Sequence, residues 1–296
     1  MSHTVDPQSI DPEIATSAGA SSRPRKKRRT MLAAASVWMT IVVIAAVFAD
    51  LLPIADFGET VGESGESPFE SISEPLGTDR LGRSMLSRSV YGARVSLAVG
   101  LLGALLALVV GGLAGLLAAQ FKGPIRAIVD VLANSVLAVP PIIFLLAIVS
   151  ALQPSIPTLV VSLSMLVLPT FARLTKANAL SQMGREYILA ANAMGAGNAR
   201  ILFRELMPNA AGPVLAYSLL VVASLIVAEG ALSFLGLGVP PPYPTWGGMI
   251  ASGQTLLAMQ PWPVLIPAFL LFFTVYSLNT VGEALQQKLY ARESQM

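Results

Sequence analysis

The sequence has no cysteine and a single histidine, His3, near its start. Disulfide frameworks, thiolate metal sites, cysteine nucleophiles and a Ser-His-Asp triad in the body of the chain are therefore excluded. Charge is also scarce. Charged residues make up 12% of the 296 and hydrophobic ones 54%, whereas a soluble domain carries about 25% charged residues. Such a surface has to be solvated by lipid. A net charge of +2 gives no strong pull on nucleic acid, so no nucleic-acid partner is expected, and neither is a cofactor or a metal.

What is present is a series of apolar runs, each near the roughly 20 residues that a bilayer-crossing helix needs. They cover 31–52, 95–121, 128–152, 158–172 or slightly beyond, 212–235 and 264–282. The expected fold is an all-α polytopic membrane protein with about six transmembrane helices. Residues 1–22 are rich in Ser, Ala, Pro and Asp and read as disordered. Six basic residues in seven follow, Arg23 to Arg29. They read either as a topological anchor or as a binder of nucleic acid or a lipid head group. The first apolar run is too long for a signal-peptide core, so residues 31–52 are taken as a retained span.

Charge sets the expected orientation. Placing the N-terminus inside puts fifteen of the nineteen Lys and Arg residues on the cytoplasmic side. The outside segment between the first two spans then holds eight acids, from Asp50 to Asp79. The asymmetry therefore fits the positive-inside rule for six spans with both termini cytoplasmic. The expected organisation is a basic tail at 1–30, a first span at 31–52, an extracytoplasmic segment at 53–94, a five-helix core at 95–285 and a tail at 286–296. Within 53–94, residues 83–93 are expected to lie as an amphipathic helix in the interface, their arginines reaching head groups. Glycines 111, 112 and 115 in the second span predict close helix packing. Pro140-Pro141 predicts a bend in the third, and 236–248 is a Pro/Gly-rich loop. Trp246 and Trp262 suit interfacial positions.

Glu229 is the one acid within some 75 otherwise uncharged residues. Such a group faces protein or water. It is either a pathway residue or part of a structural pair with a buried donor. Asp130 and Glu283 read as helix-end or inter-subunit contacts, and Asn134, Gln153 and Asn279 as hydrogen-bonding groups between helices. No His, Cys or paired acid lies at membrane depth, which argues against an intramembrane hydrolase.

The most informative segment is the cytoplasmic stretch 177–209. It predicts two short helices, the first at 181–194. A Gly-Ala-Gly turn at 195–197 ends it, Asn198 caps the second helix, and that helix ends before Pro208. Ala190, Ala191 and Ala193 give the first helix a flat surface able to enter a groove on another protein. Packing on the chain's own bundle is the other reading.

Glu186-Tyr187, Ala190-Ala191, Gly195-Ala196 and Pro208-Asn209 resemble the signature of ABC-transporter inner-membrane permeases. The similarity is to the second permease type of the dipeptide/oligopeptide/nickel importer group. Two further blocks support it: Leu76 to Leu97 before the second span, and Glu229 to Gly238 followed by Pro241-Pro242 and Trp246-Gly247. Together they cover roughly 75–290. Leu189 stands where the signature usually has glutamate, and Glu205-Leu-Met-Pro208 replaces Ile-x-Leu-Pro; Glu186 keeps a charge one turn before Ala190.

The resemblance implies a type I importer-like permease whose 177–209 region docks on an ATP-hydrolysing subunit through Glu186, Ala190, Ala191, Gly195, Arg200 and Pro208. It implies a second homologous permease, one or two ATP-binding subunits and an extracytoplasmic substrate-binding protein as partners, beside membrane lipid. The cargo implied is di- or oligopeptides, with nickel chelates or another small solute as the alternative. The chain has no Gly-x-x-x-x-Gly-Lys-Ser/Thr loop, so energy would come from the partners and the chain is not expected to be an enzyme. A stand-alone secondary transporter or channel is the competing class, but no convincing internal repeat is present.

Overall fold

The computed structural model describes residues 25–293, so most of the expected disordered tail lies outside them. All regular elements among these residues are helical. The principal helices are α1 (Arg25–Val47), α2 (Met85–Gln120), α3 (Pro124–Ala138), α4 (Pro141–Leu152), α5 (Ile156–Met183) and α6 (Glu186–Ala193). They continue with α7 (Asn198–Phe234), α8 (Trp246–Gly253) and α9 (Trp262–Glu293). Five of them are long and apolar enough to cross a membrane, and the pair α3 and α4 makes a sixth span if counted as one.

Several bounds differ from the sequence expectation. α1 starts inside the basic run, so residues 25–30 are helical, and it ends at Val47 rather than 52. Arg94 explains the stop. Its Nε donates to the Ala46 carbonyl at 2.7 Å and its Nη2 to that of Val47 at 3.2 Å, satisfying acceptors that the last helical turn leaves free. The same guanidinium pairs with Asp50 at 3.0 Å. Hydrogen bonds from Arg94 and then Tyr91 hold the Asp50 carboxyl below its ordinary range. This latch therefore weakens as pH falls through that lowered pKa.

Residues 85–93 are not a separate interfacial helix. They are the opening turns of α2, a 36-residue helix. At 1.5 Å per residue it measures about 54 Å and outreaches a hydrocarbon core of about 30 Å. Ser84 caps it, accepting from the Ser87 N–H. The arginines face protein, not head groups. Arg83 and Arg88 both reach the buried Asp79, at 2.7 and 3.4 Å, and Arg88 also donates to the Phe57 carbonyl. Buried Glu74 accepts from Ser84. Two isolated bridges, Thr60 with Arg83 and Thr78 with Ser84, fold residues 53–84 into a small cap over the start of α2.

The third apolar run is broken, not merely bent. Pro140-Pro141 separates α3 from α4 at 95°. Val139 is held extended before the first proline, and Pro141 opens the new helix, where its missing N–H costs nothing. Asp130 on α3 pairs with Lys176 on α5 at 2.6 Å, and Asn134 accepts from Arg173. These are contacts within one chain.

The core lies where α2, α5 and α7 meet, around Val99, Leu163, Phe171 and Ile226. Gly111 and Gly115 let α2 lie backbone to backbone on α5. A Cβ on Gly111 would stand 2.6 Å from the Leu168 carbonyl oxygen, and one on Gly115 would overlap that of Ala172. The opposite face of α2 leaves Leu101, Leu105 and Val109 exposed, a surface suited to lipid or to another transmembrane chain.

Candidate functional site

Two regions hold the residues singled out in the sequence, at opposite ends of α7. The first is the buried knot around Glu229, whose side chain is completely enclosed. Its Oε1 accepts from Ser233 Oγ at 2.6 Å and its Oε2 from Ser96 Oγ at 3.2 Å. Ser96 also accepts from the Trp246 backbone N–H at 3.3 Å. Thr245 caps α8, accepting from Gly248 N at 3.0 Å, and its hydroxyl lies 3.3 Å from Ser233 Oγ. Glu229 thereby ties α2, α7 and the start of α8 together, and among the described residues it is outside the lining of the crevices beside Arg28, Trp38 and Leu108.

Trp246 is not interfacial. It is fully buried, and its Nε1 donates to the Ser89 carbonyl at 3.0 Å. Helix α8 was missed because Pro240 to Pro244 and the glycine pair 247–248 read as breakers. The signal that marks its start is Thr245, a good N-cap residue, directly before an apolar stretch. Replacing Glu229 with leucine is expected to leave Ser96 and Ser233 without their acceptor, at about 1–3 kcal/mol each. The membrane level of the protein should fall, whereas Glu229→Gln, which keeps the shape and one acceptor oxygen and can donate its amide N–H to the other serine hydroxyl, should hold it. Quantitative immunoblotting beside an uptake assay checks this; a Glu229→Gln protein present at full level but inactive would identify a pathway role.

The second region is the turn between α5 and α7. α6 buries Ile188 and Ala191 and half-buries Tyr187. Ile188 and Tyr187 pack on Leu116 and Ala119 of α2, Ala179 of α5, and Ile201, Leu202 and Leu206 of α7. Burial raises the Tyr187 hydroxyl pKa above its ordinary range, and that hydroxyl lies 3.2 Å from Gln182 Oε1. The helix ends in a Schellman motif. Gly195 takes φ +77°, Ala196 N–H donates to the Ala191 carbonyl at 3.0 Å, and Gly195 N–H to that of Asn192 at 2.9 Å.

The second helix departs from expectation. Gly197, not Asn198, is its N-cap, and Asn198 Oδ1 instead accepts from Gln120 at 3.2 Å. Nor does it stop before Pro208. A π-helical stretch at Ile201–Leu206 carries it into the fifth span without a break. Met207 N–H reaches back five residues to Leu202 O, and Asn209 Nδ2 donates to the Glu205 carbonyl at 2.6 Å. The wider turn accommodates a proline that would otherwise cost an α-helix about 3 kcal/mol.

Of the residues selected for docking, Glu186, Ala190, Gly195, Arg200 and Pro208 are exposed, while Ala191 is 3% exposed and packs inward. Arg200 stands 3.8 Å from Glu205. Three large apolar side chains stand out beside them. Leu189 is 57% exposed, Met194 74% and Phe203 51%. The paired alanines drew attention from these neighbours, but helical phase points to them. With 187, 188 and 191 inward, 189 and 190 must face out.

The deciding observation is a match over residues 108–294 to the family described as binding-protein-dependent transport system inner membrane component. The chain belongs to this family. It is thus a multi-pass inner-membrane permease of an ABC importer. The dipeptide transport system permease protein DppC of Alkalihalophilus pseudofirmus is 32% identical over 97% of this chain and 95% of its own length. The di/tripeptide transport system permease protein DppC of Pseudomonas aeruginosa is 34% identical over 86% and 85%. Among solved structures, an inward-facing form of the MetNI methionine ABC transporter matches 69% of this permease and 97% of its own chain. The TM-score is 0.53 at 19% identity, a likeness of fold alone.

Proposed function

We propose that this permease imports short peptides, di- or oligopeptides, as one of two homologous permeases that together form the pathway. ATP-binding subunits dock on the surface formed by α6 and the start of α7, and an extracytoplasmic binding protein delivers cargo at the opposite face. The termini are cytoplasmic, the first span lies within residues 31–52 and ends with its helix at Val47, and 177–209 is the coupling region of a core at 95–285. The observation that carries the docking part is the cluster of Leu189, Met194 and Phe203. They are exposed on a rigidly supported turn at the basic end of the bundle. Exposed apolar anchors flanked by polar groups are what a partner's cleft takes up. The names of the relatives support the cargo, and the charge asymmetry supports the orientation. Ala191 works from beneath, holding α6 in place, and Glu229 acts as a brace.

The test is to tag the C-terminus, extract the chain in mild detergent and identify what co-purifies. A second permease and ATP-binding subunits in fixed ratio, with ATP hydrolysis stimulated by binding protein loaded with a di- or oligopeptide, is the expected result. Stimulation by a nickel chelate and not by peptides would reassign the cargo. A chain that purifies alone, folded and without ATPase partners, would overturn the docking arrangement.

A further inference from the structure

The ends of α1 and α9 do not close on each other at the basic end of the bundle. Between them lies a crevice of about 980 Å³. Gly282 of α9 packs on Leu219 and Leu220 of α7, and α9 then runs on toward the start of that helix, so the crevice opens at the same end as the coupling turn. Its lining is graded. Arg28, Arg29 and Lys288 stand at the mouth. Asn279 and Thr280 supply neutral hydrogen-bonding groups just over two turns deeper along α9 than Lys288. Leu32 and Tyr276 form the apolar floor on the membrane side. None of the three cations forms an ion pair among the described residues, and Glu283 is the only acid in the wall.

We infer that this crevice holds an anionic phospholipid, its phosphate against Arg28, Arg29 and Lys288 and its acyl chains along Leu32 and Tyr276. The order from cation to neutral polar to apolar is that of the lipid itself, read from head group inward. Basic pockets between transmembrane helices suit such head groups, and each cation near the surface contributes a factor of about five in affinity. A soluble anion would gain the cations but not the floor. Tyr276 on its floor is 42% exposed, so a lipid can enter laterally from the bilayer. The lipid would extend to its basic end the seam between the first span and the last, which farther in already meet through Val42, Ala46, Ile266 and Leu270 and through Trp38, whose Nε1 donates to Thr274 at 3.1 Å and whose ring lies 5.6 Å from that of Phe273.

The experiment uses the full chain, delipidated in detergent and titrated with phosphatidylglycerol, with phosphatidylcholine and with inorganic phosphate. Bound lipid is read by native mass spectrometry and stability by thermal unfolding. Phosphatidylglycerol alone should bind and raise the unfolding temperature. The triple variant Arg28→Gln, Arg29→Gln, Lys288→Gln should bind about a hundredfold more weakly, as the loss of three such cations requires. Its remaining basic residues, Arg23, Arg25, Lys26 and Lys27, keep the topological signal. Thr280→Trp, which fills the crevice and leaves every charge, should also abolish binding. Equal binding by phosphatidylcholine or inorganic phosphate, or undiminished binding by both variants, would overturn the assignment. So would binding that appears only after residues 1–24 are deleted, which would make that segment the occupant.

Discussion

Replacing Gly115 with leucine is expected to remove the permease from the membrane fraction. At this position α2 and α5 touch through their backbones. The new Cβ would overlap the Ala172 carbonyl oxygen and stand 3.0 Å from Lys176 N. Neither can rotate away, because both belong to a helix fixed on its other side by the Lys176–Asp130 pair and the Phe171 core. Overpacking with mobile neighbours costs about 1–3 kcal/mol; here whole helices must separate, so the upper end of that range or more applies. Gly111→Leu should behave alike. Gly112→Ala is the control one residue away, since its Cβ meets only Thr175 Oγ1, at 3.8 Å. Immunoblotting of membranes for all three variants checks this. Full accumulation of Gly115→Leu would mean that α2 and α5 do not pack through this face.

The second large effect is expected at the coupling turn, with the opposite signature. Aspartate at Leu189, Met194 or Phe203 should leave the protein at its normal level in the membrane while uptake falls about tenfold or more, the scale of a lost interface anchor. None of the three is enclosed by its own chain, so a charge there costs little in folding. Ala191→Asp should do the reverse, since a carboxylate would have to enter the space beneath α6. Uptake assays normalised to protein level separate the two. Normal uptake by all three exposed variants would move the docking surface elsewhere.

Hydropathy made the spans legible, because a run of apolar residues long enough to cross a bilayer has few other uses. It was blind to direction. Residues 128–152 read as one span, but Pro140-Pro141 turns the chain through 95° without changing its polarity. It was blind to continuity as well. The arginines before the second span suggested a separate interfacial helix, because a sequence does not show that Asp79 and Asp50 lie folded back to receive them. The coupling turn was legible at Gly195, where only glycine takes φ +77° without strain. It was not legible at Ala191, since two adjacent alanines look alike until helical phase assigns one to each face. Glu229 announced itself by isolation, and Ser233 lies one helical turn from it, but Ser96 comes from another helix and Thr245 joins through Ser233, and no local pattern brings these two in.

The unbroken run from Asn198 to Phe234 has a mechanical meaning. At 1.5 Å per residue its 37 residues form a rod of about 55 Å. One end carries the exposed turn and the other carries the Glu229 knot. A rod that tilts as one body moves its two ends in opposite senses, as a seesaw does. Motion imposed below is therefore delivered above as a tilt, with no relay of side chains in between. The knot makes that tilt common property, because whatever moves Glu229 takes Ser96 and Trp246 with it.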